Sequence, residues 1–198
     1  MHIEISPIAR ILFGIALLSG CTTLSAETRI PSALRASEFN DVASQYMERP
    51  TFAAVQSFSD GNTALKVEVD EYGTGYDPNL KIVTDHVTYF DKRYVATYLP
   101  LIDKYLEWES LAVQRGDLID RQIGEAKTWG VGGDIDLRFS IFSSGQTDHL
   151  LMIKRCPFGT CVDKWLSLSK ANAIFLRELL VDFGAGKVGQ SNVDAIYK

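Results

Sequence analysis

The chain has 198 residues, a formal net charge of −5 at pH 7 and 46% hydrophobic residues. That length and apolar share describe a globular protein with one good core, or two small ones joined as a single domain. An acidic balance disfavours nucleic acid and anionic headgroups as partners.

In chain order, the first twenty residues read as a targeting segment. Arg10 precedes an apolar run, Ile11 to Leu18, that is too short to span a bilayer as a mature helix. Glu4 offsets Arg10, so this leader has little positive charge beyond its amino terminus. The segment Leu18-Ser19-Gly20-Cys21 resembles a lipobox, the cleavage signal of bacterial lipoproteins. The resemblance implies removal of residues 1–20, lipidation of Cys21 and a domain facing the periplasm. Because Thr22, not aspartate, follows the cysteine, it implies an outer-membrane anchor. Several acyl chains on one residue supply the double anchoring that a single chain cannot, at about 0.8 kcal/mol per buried methylene.

Residues 21–36, rich in Ser, Thr and Ala and containing Pro31, are expected to form a lipidated tether. Ser37 can then cap a short helix that carries Phe39, Val42, Ala43, Tyr46 and Met47 on one face and ends before Pro50.

Beyond Pro50 the hydrophobic pattern repeats at an offset of 70 residues. Leu65, Val67 and Val69 alternate with charged residues as Ile135, Leu137 and Phe139 alternate with polar ones, so both stretches read as half-buried strands. Gly-bearing turns follow in each half, then strands over 80–83 and 150–153. The stretches 93–99 and 163–169 are expected as strands that each feed a helix. Pro100 would open the first helix and Ser169 would cap the second, while Gly116 and Gly186 would end them. Strands near 51–58 and 118–129 complete each half, although Ile119, Ile123 and Ala126 also fit a helix. The expected fold is α+β, with two ββββα pseudo-repeats over 51–116 and 117–186 inside one domain of residues 37–186, then a tail over 187–198. Such a tandem resembles the Whirly and coactivator type of fold, in architecture and without a shared motif.

With Cys21 assigned to lipid, Cys156 and Cys161 form an even pair in an oxidising compartment. Pro157 and Gly159 between them suit a turn, so a structural disulfide is expected; redox or zinc chemistry needs C-x-x-C spacing or further ligands. Gly130-Val131-Gly132-Gly133 lacks the Gly-Lys-Ser/Thr of a phosphate loop and reads as a flexible turn.

His86 and His149 each follow an aspartate, but strand neighbours point to opposite faces, so Asp85 would not orient His86, and both histidines read as surface or turn residues. Ser140, Ser143 and Ser144 lie outside any Gly-x-Ser-x-Gly elbow. Tyr72, Tyr76, Tyr89, Tyr94, Tyr98 and Tyr105 crowd the first half, while 117–186 holds no tyrosine. Tyrosine suits interfaces and half-buried strands alike; the interface reading places a partner face at Tyr72, Tyr76, Tyr94 and Tyr98. The sequence thus points to a non-enzymatic envelope lipoprotein that binds a protein partner, with no cofactor or metal. The alternative is a ligand binder or enzyme centred on His86 or His149, and nucleic-acid binding is a more remote one.

Overall fold

The computed structural model describes residues 22–70, 76–77, 82–83, 86–130, 132–161 and 164–188. Residues 1–20, Cys21, Tyr72, Asp85 and the end of the tail from 189 onward lie outside the described residues, as do side-chain details of Tyr76. The fold is mixed α+β, with two antiparallel sheets and two helices around one core.

The first sheet has the order β1-β4-β5-β8, from strands β1 (Leu24–Ile30), β4 (Thr51–Phe58), β5 (Thr63–Val69) and β8 (His86–Asp91). The second has six strands in the order β3-β2-β12-β11-β10-β9. These are β2 (Ala36–Asn40), β3 (Gln45–Arg49), β9 (Asp120–Thr128), β10 (Ile135–Ser143), β11 (His149–Cys156) and β12 (Trp165–Leu168). A two-residue pair, β6 (Tyr76–Asp77) with β7 (Ile82–Val83), lies between β5 and β8 in the chain. Helix α1 (Val95–Arg115) follows β8 and helix α2 (Lys170–Gly184) follows β12.

Alternation builds the central strands as expected: Leu65, Val67 and Val69 are buried, and so are Leu137, Phe139 and Ile141. Strand β11 goes further. His149 through Ile153 are all buried, so both of its faces are covered. Phe142, the register partner of Leu150, meets the ring of Tyr46 at 6.1 Å. Tyr46 belongs to β3, four strands away, so the six-stranded sheet curls over that face.

Three sequence expectations are corrected. The stretch 37–47 is not a helix but the β2–β3 hairpin, in which Phe39 and Tyr46 face each other and pack edge-on at 5.3 Å. Spacing that suits a helix face also suits a hairpin when a turn intervenes. Here Asn40 Oδ1 accepts from the Ala43 N–H, Ser44 takes φ 51°, and Ser37 pairs opposite Ser167 instead of capping. Residues 24–30 are not a tether: β1 pairs with β4 along its length, and an edge strand exposed on both faces needs no apolar alternation.

The stretch 93–99 is not a strand either. One 3₁₀ turn, Lys92–Tyr94, leads into α1, which carries Pro100 in its interior. Asp91 Oδ1 accepts from the Arg93 N–H and so starts the turn. Val95, Tyr98, Ile102, Tyr105 and Ala112 then form one buried face at spacings of three, four and seven. That packing overrides the strand preference of Tyr, Val and Thr. Tyr98 is the hinge of the arrangement: its ring lies against Phe90 at 5.4 Å and Phe139 at 6.2 Å, one from each sheet.

The second half matches its reading closely. β9 to β12 form a four-strand antiparallel meander, and Ser169 accepts from the Asn172 N–H as the α2 cap; in the first half, Gly116 ends α1 as expected, in the left-handed region at φ 67°. Cys156 and Cys161 are disulfide-bonded across the β11–β12 connection. Among the described residues no helix is long and apolar enough to cross a membrane.

Candidate functional site

Of the four tyrosines expected on a partner face, Tyr72 and the side chain of Tyr76 lie outside the described residues, and Tyr98 is not exposed. Tyr98 is fully buried; its hydroxyl donates to the Lys127 carbonyl at 2.6 Å and accepts from the Asp91 N–H at 3.1 Å, tying β8 to β9. Burial pushes its pKa well above the ordinary tyrosine range. Tyr94 is half-exposed, but its hydroxyl donates to Asp134, and that hydrogen bond raises its pKa. A half-exposed Tyr94 and a buried Tyr98 do not share an exposed patch.

The histidines separate as well. His149 is buried, not a surface residue. Its Nδ1 lies 2.7 Å from Ser143 Oγ, which also accepts the Ile119 N–H at 2.8 Å. Nε2 is buried without a hydrogen-bond partner. A serine tied to the α1–β9 loop and a histidine closed to solvent make a structural pair. His86 instead lines a cleft of about 260 Å³ together with Glu38, Tyr46, Lys164 and Trp165. Glu38 is also 3.4 Å from the Arg49 guanidinium, and Lys154 stands over the Trp165 ring at 4.1 Å. This cleft sits below the volume of most small-molecule sites, which begin at about 300 Å³.

The larger opportunity lies along β1, which sequence reasoning set aside as linker. The chain enters the fold pinned: Thr23 and Ser59 exchange hydrogen bonds at 2.9 Å, and Thr22 Oγ1 donates to Asp60. From there β1 runs beside β4 with a bulge between Leu24 and Ala26. It stands first in its sheet, so its outer edge has no strand partner among the described residues. Six of its seven residues are exposed.

Two clefts flank this strand and share Arg29 and Phe52. One, of about 540 Å³, is bounded by Arg29, Ser32, Arg35, Glu48 and Phe52; the other, of about 270 Å³, by Glu27, Arg29, Phe52, Lys66 and Glu68. Around the second, Glu27 accepts from the Gln56 amide and Lys66 pairs with Glu68 at 2.6 Å. Burial is the largest single influence on Lys66 and works against its charge, but the bond to Glu68 together with the charges of Glu68 and Glu27 outweighs it, and the pKa lies above the ordinary lysine value. In the first, Arg35 bonds the Leu34 carbonyl and Glu48 accepts from the Asn172 amide. Arg29, on the rim of both, pairs through its backbone with Ala54, while its guanidinium makes no hydrogen bond or ion pair among the described residues. A seven-residue free edge beside an uncommitted guanidinium and a half-exposed Phe52 can pair with an extended segment and hold an acidic or apolar side chain. Only the position of β1 in the sheet makes this visible; the Thr28–Ile30 alternation before Pro31 was the one hint in sequence.

Comparison with protein-family models, with curated proteins and with solved structures returned no match.

Proposed function

We propose that this chain is an envelope lipoprotein, lipidated on Cys21 and facing the periplasm from the outer membrane, whose domain binds a protein partner without chemistry of its own. The partner would add an extended segment to the free edge of β1, an interaction in which main-chain hydrogen bonds supply affinity and flanking clefts supply selectivity. The free β1 edge carries this reading. The lipobox at Leu18 to Cys21 and the burial of His149 away from solvent support it. The Whirly-like tandem belongs to the same reading at the level of shape: β4, β5 and α1 keep the order of β9, β10 and α2 near the 70-residue offset.

Hydrogen exchange on the complex recovered from native envelopes tests the proposal. Strand addition should slow exchange of the β1 amides, and Arg29→Glu should abolish recovery of the partner. Unchanged β1 exchange in a stable complex would sink it.

The His86 cleft favours a second reading, a small-ligand site in which Glu38 and Lys164 orient a polar ligand against Trp165. Its signature is a ligand-induced rise in Tm that His86→Ala removes and Arg29→Glu leaves intact. A ligand that stabilises both variants equally would bind elsewhere.

A further inference from the structure

Resting on the lipoprotein reading, we infer that the lipid-bearing end of the domain lies flat on the bilayer, with Phe158 as a second contact that enters the acyl boundary. The starting point is covalent. Cys21 adjoins Thr22, and consecutive Cα atoms are about 3.8 Å apart. Thr22 and Thr23 are hydrogen-bonded to Asp60 and Ser59 in the β4–β5 turn, and β1 begins at Leu24. Acyl chains on Cys21 would therefore reach the membrane beside that turn, with no free linker to let the domain tumble.

The same end gathers the apolar tips of both sheets. Phe58, at the end of β4, stacks on Trp129 at 4.0 Å, and Tyr89 meets the Trp129 ring at 5.2 Å. Trp129 follows the end of β9, where Thr128 pairs with Ile135 of β10, and Asp136 pairs in turn with Cys156 of β11. Phe158 sits just past Cys156, so two strand spacings, about 10 Å, separate its turn from Trp129. Leu24, opposite Phe58, is half-exposed on this end as well.

Phe158 gains nothing from the fold. It is fully exposed and holds φ 53°, a region that bulky residues rarely adopt. Proline before it and the Cys156–Cys161 disulfide restrict the backbone of the tip, so the ring is presented outward at a reduced ordering cost on insertion. An aromatic in that place fits an interface where an apolar ring meets headgroups.

Charge selects the lipid. The ionisable groups of this end among the described residues include Asp60, Asp91, Asp134 and Asp136 against Lys92, Arg93 and Lys127. Arg93 is paired with Asp91 and Asp134, and Lys127 with Asp136, which leaves little net field. A neutral, zwitterionic bilayer is the surface this end suits.

The test is lipid photo-crosslinking. Lipidated full-length protein, carrying benzoylphenylalanine in place of Phe158 or, as control, of the exposed Leu118 at the opposite end of β10, is placed in phosphatidylcholine vesicles. Position 158 should give about tenfold more lipid adduct than position 118, as burial at the acyl boundary requires. Equal yields from protein that incorporates labelled palmitate at Cys21 would overturn the orientation and leave the lipoprotein reading standing. Absence of that label, or its persistence in Cys21→Ser, would overturn the lipoprotein reading and the orientation with it.

Discussion

The two sheets share one core but differ in what lies on their outer faces. In the six-stranded sheet, β11 is buried on both sides because the sheet curls and brings Tyr46 of β3 over Phe142. In the four-stranded sheet the outer face stays open, with Lys66, Glu68, Glu27 and Phe52 reaching solvent and β1 unpaired along one edge among the described residues. The difference separates tasks: a strand with two covered faces can only hold the molecule together, whereas an open edge costs stability little and remains available for another chain.

Mutational stability measurements can break that comparison. Leu151→Ala, in the doubly covered strand, is expected to cost about 2–5 kcal/mol in chemical denaturation. Leu24→Ala on β1 should stay within about 0.5 kcal/mol. Similar losses at both sites would mean that β1 is part of the cooperative core. Reduction of Cys156–Cys161 should cost about 2 kcal/mol, read as a lower denaturation midpoint with reductant present, since it releases only a short loop.

A smaller effect sharpens how the sheets are joined. Tyr98→Phe removes the hydroxyl that links β8 to β9 and should cost about 1–2 kcal/mol, because the Lys127 carbonyl and Asp91 N–H lose a shared partner. Tyr94→Phe should leave the denaturation midpoint unchanged. The pKa values of Tyr98 and Tyr105 are raised in the folded state by burial. Their stabilising contribution is therefore full below the ordinary tyrosine pKa of about 10 and is lost as pH rises above it. Stability should fall on the alkaline side, and the fall should be shallower in Tyr98→Phe and Tyr105→Phe; an unaltered slope would contradict their burial. Ser169→Ala should remove about 1 kcal/mol by uncapping α2, seen as a modest drop in Tm.

Legibility followed locality. Ser169, Gly116, the turn at Pro157 and Gly159, and the alternation of β5 and β10 each depend on a few neighbouring residues, and the structure bears out all four. The start of α1 reads as a strand because Tyr94, Val95, Thr97 and Tyr98 are β-prone one at a time, while the buried positions 95, 98, 102 and 105 signal a helix only when counted past Pro100. The candidate site was less legible still. His86 lines a cleft, but residues 24–30 read as linker, and Tyr98 fits an interface and a half-buried strand alike.

What the sequence by itself determined was α+β composition, the second-half strand order into α2, and a disulfide-closed turn, since period, caps and cysteine spacing are short-range physics. Tertiary structure alone decided that residues 24–30 pair with β4, that the 36–49 segment folds as a hairpin at the edge of the six-stranded sheet, and that Tyr98 is buried between the sheets. Each of those outcomes depends on a surface contributed by residues far along the chain, and no local propensity carries that information.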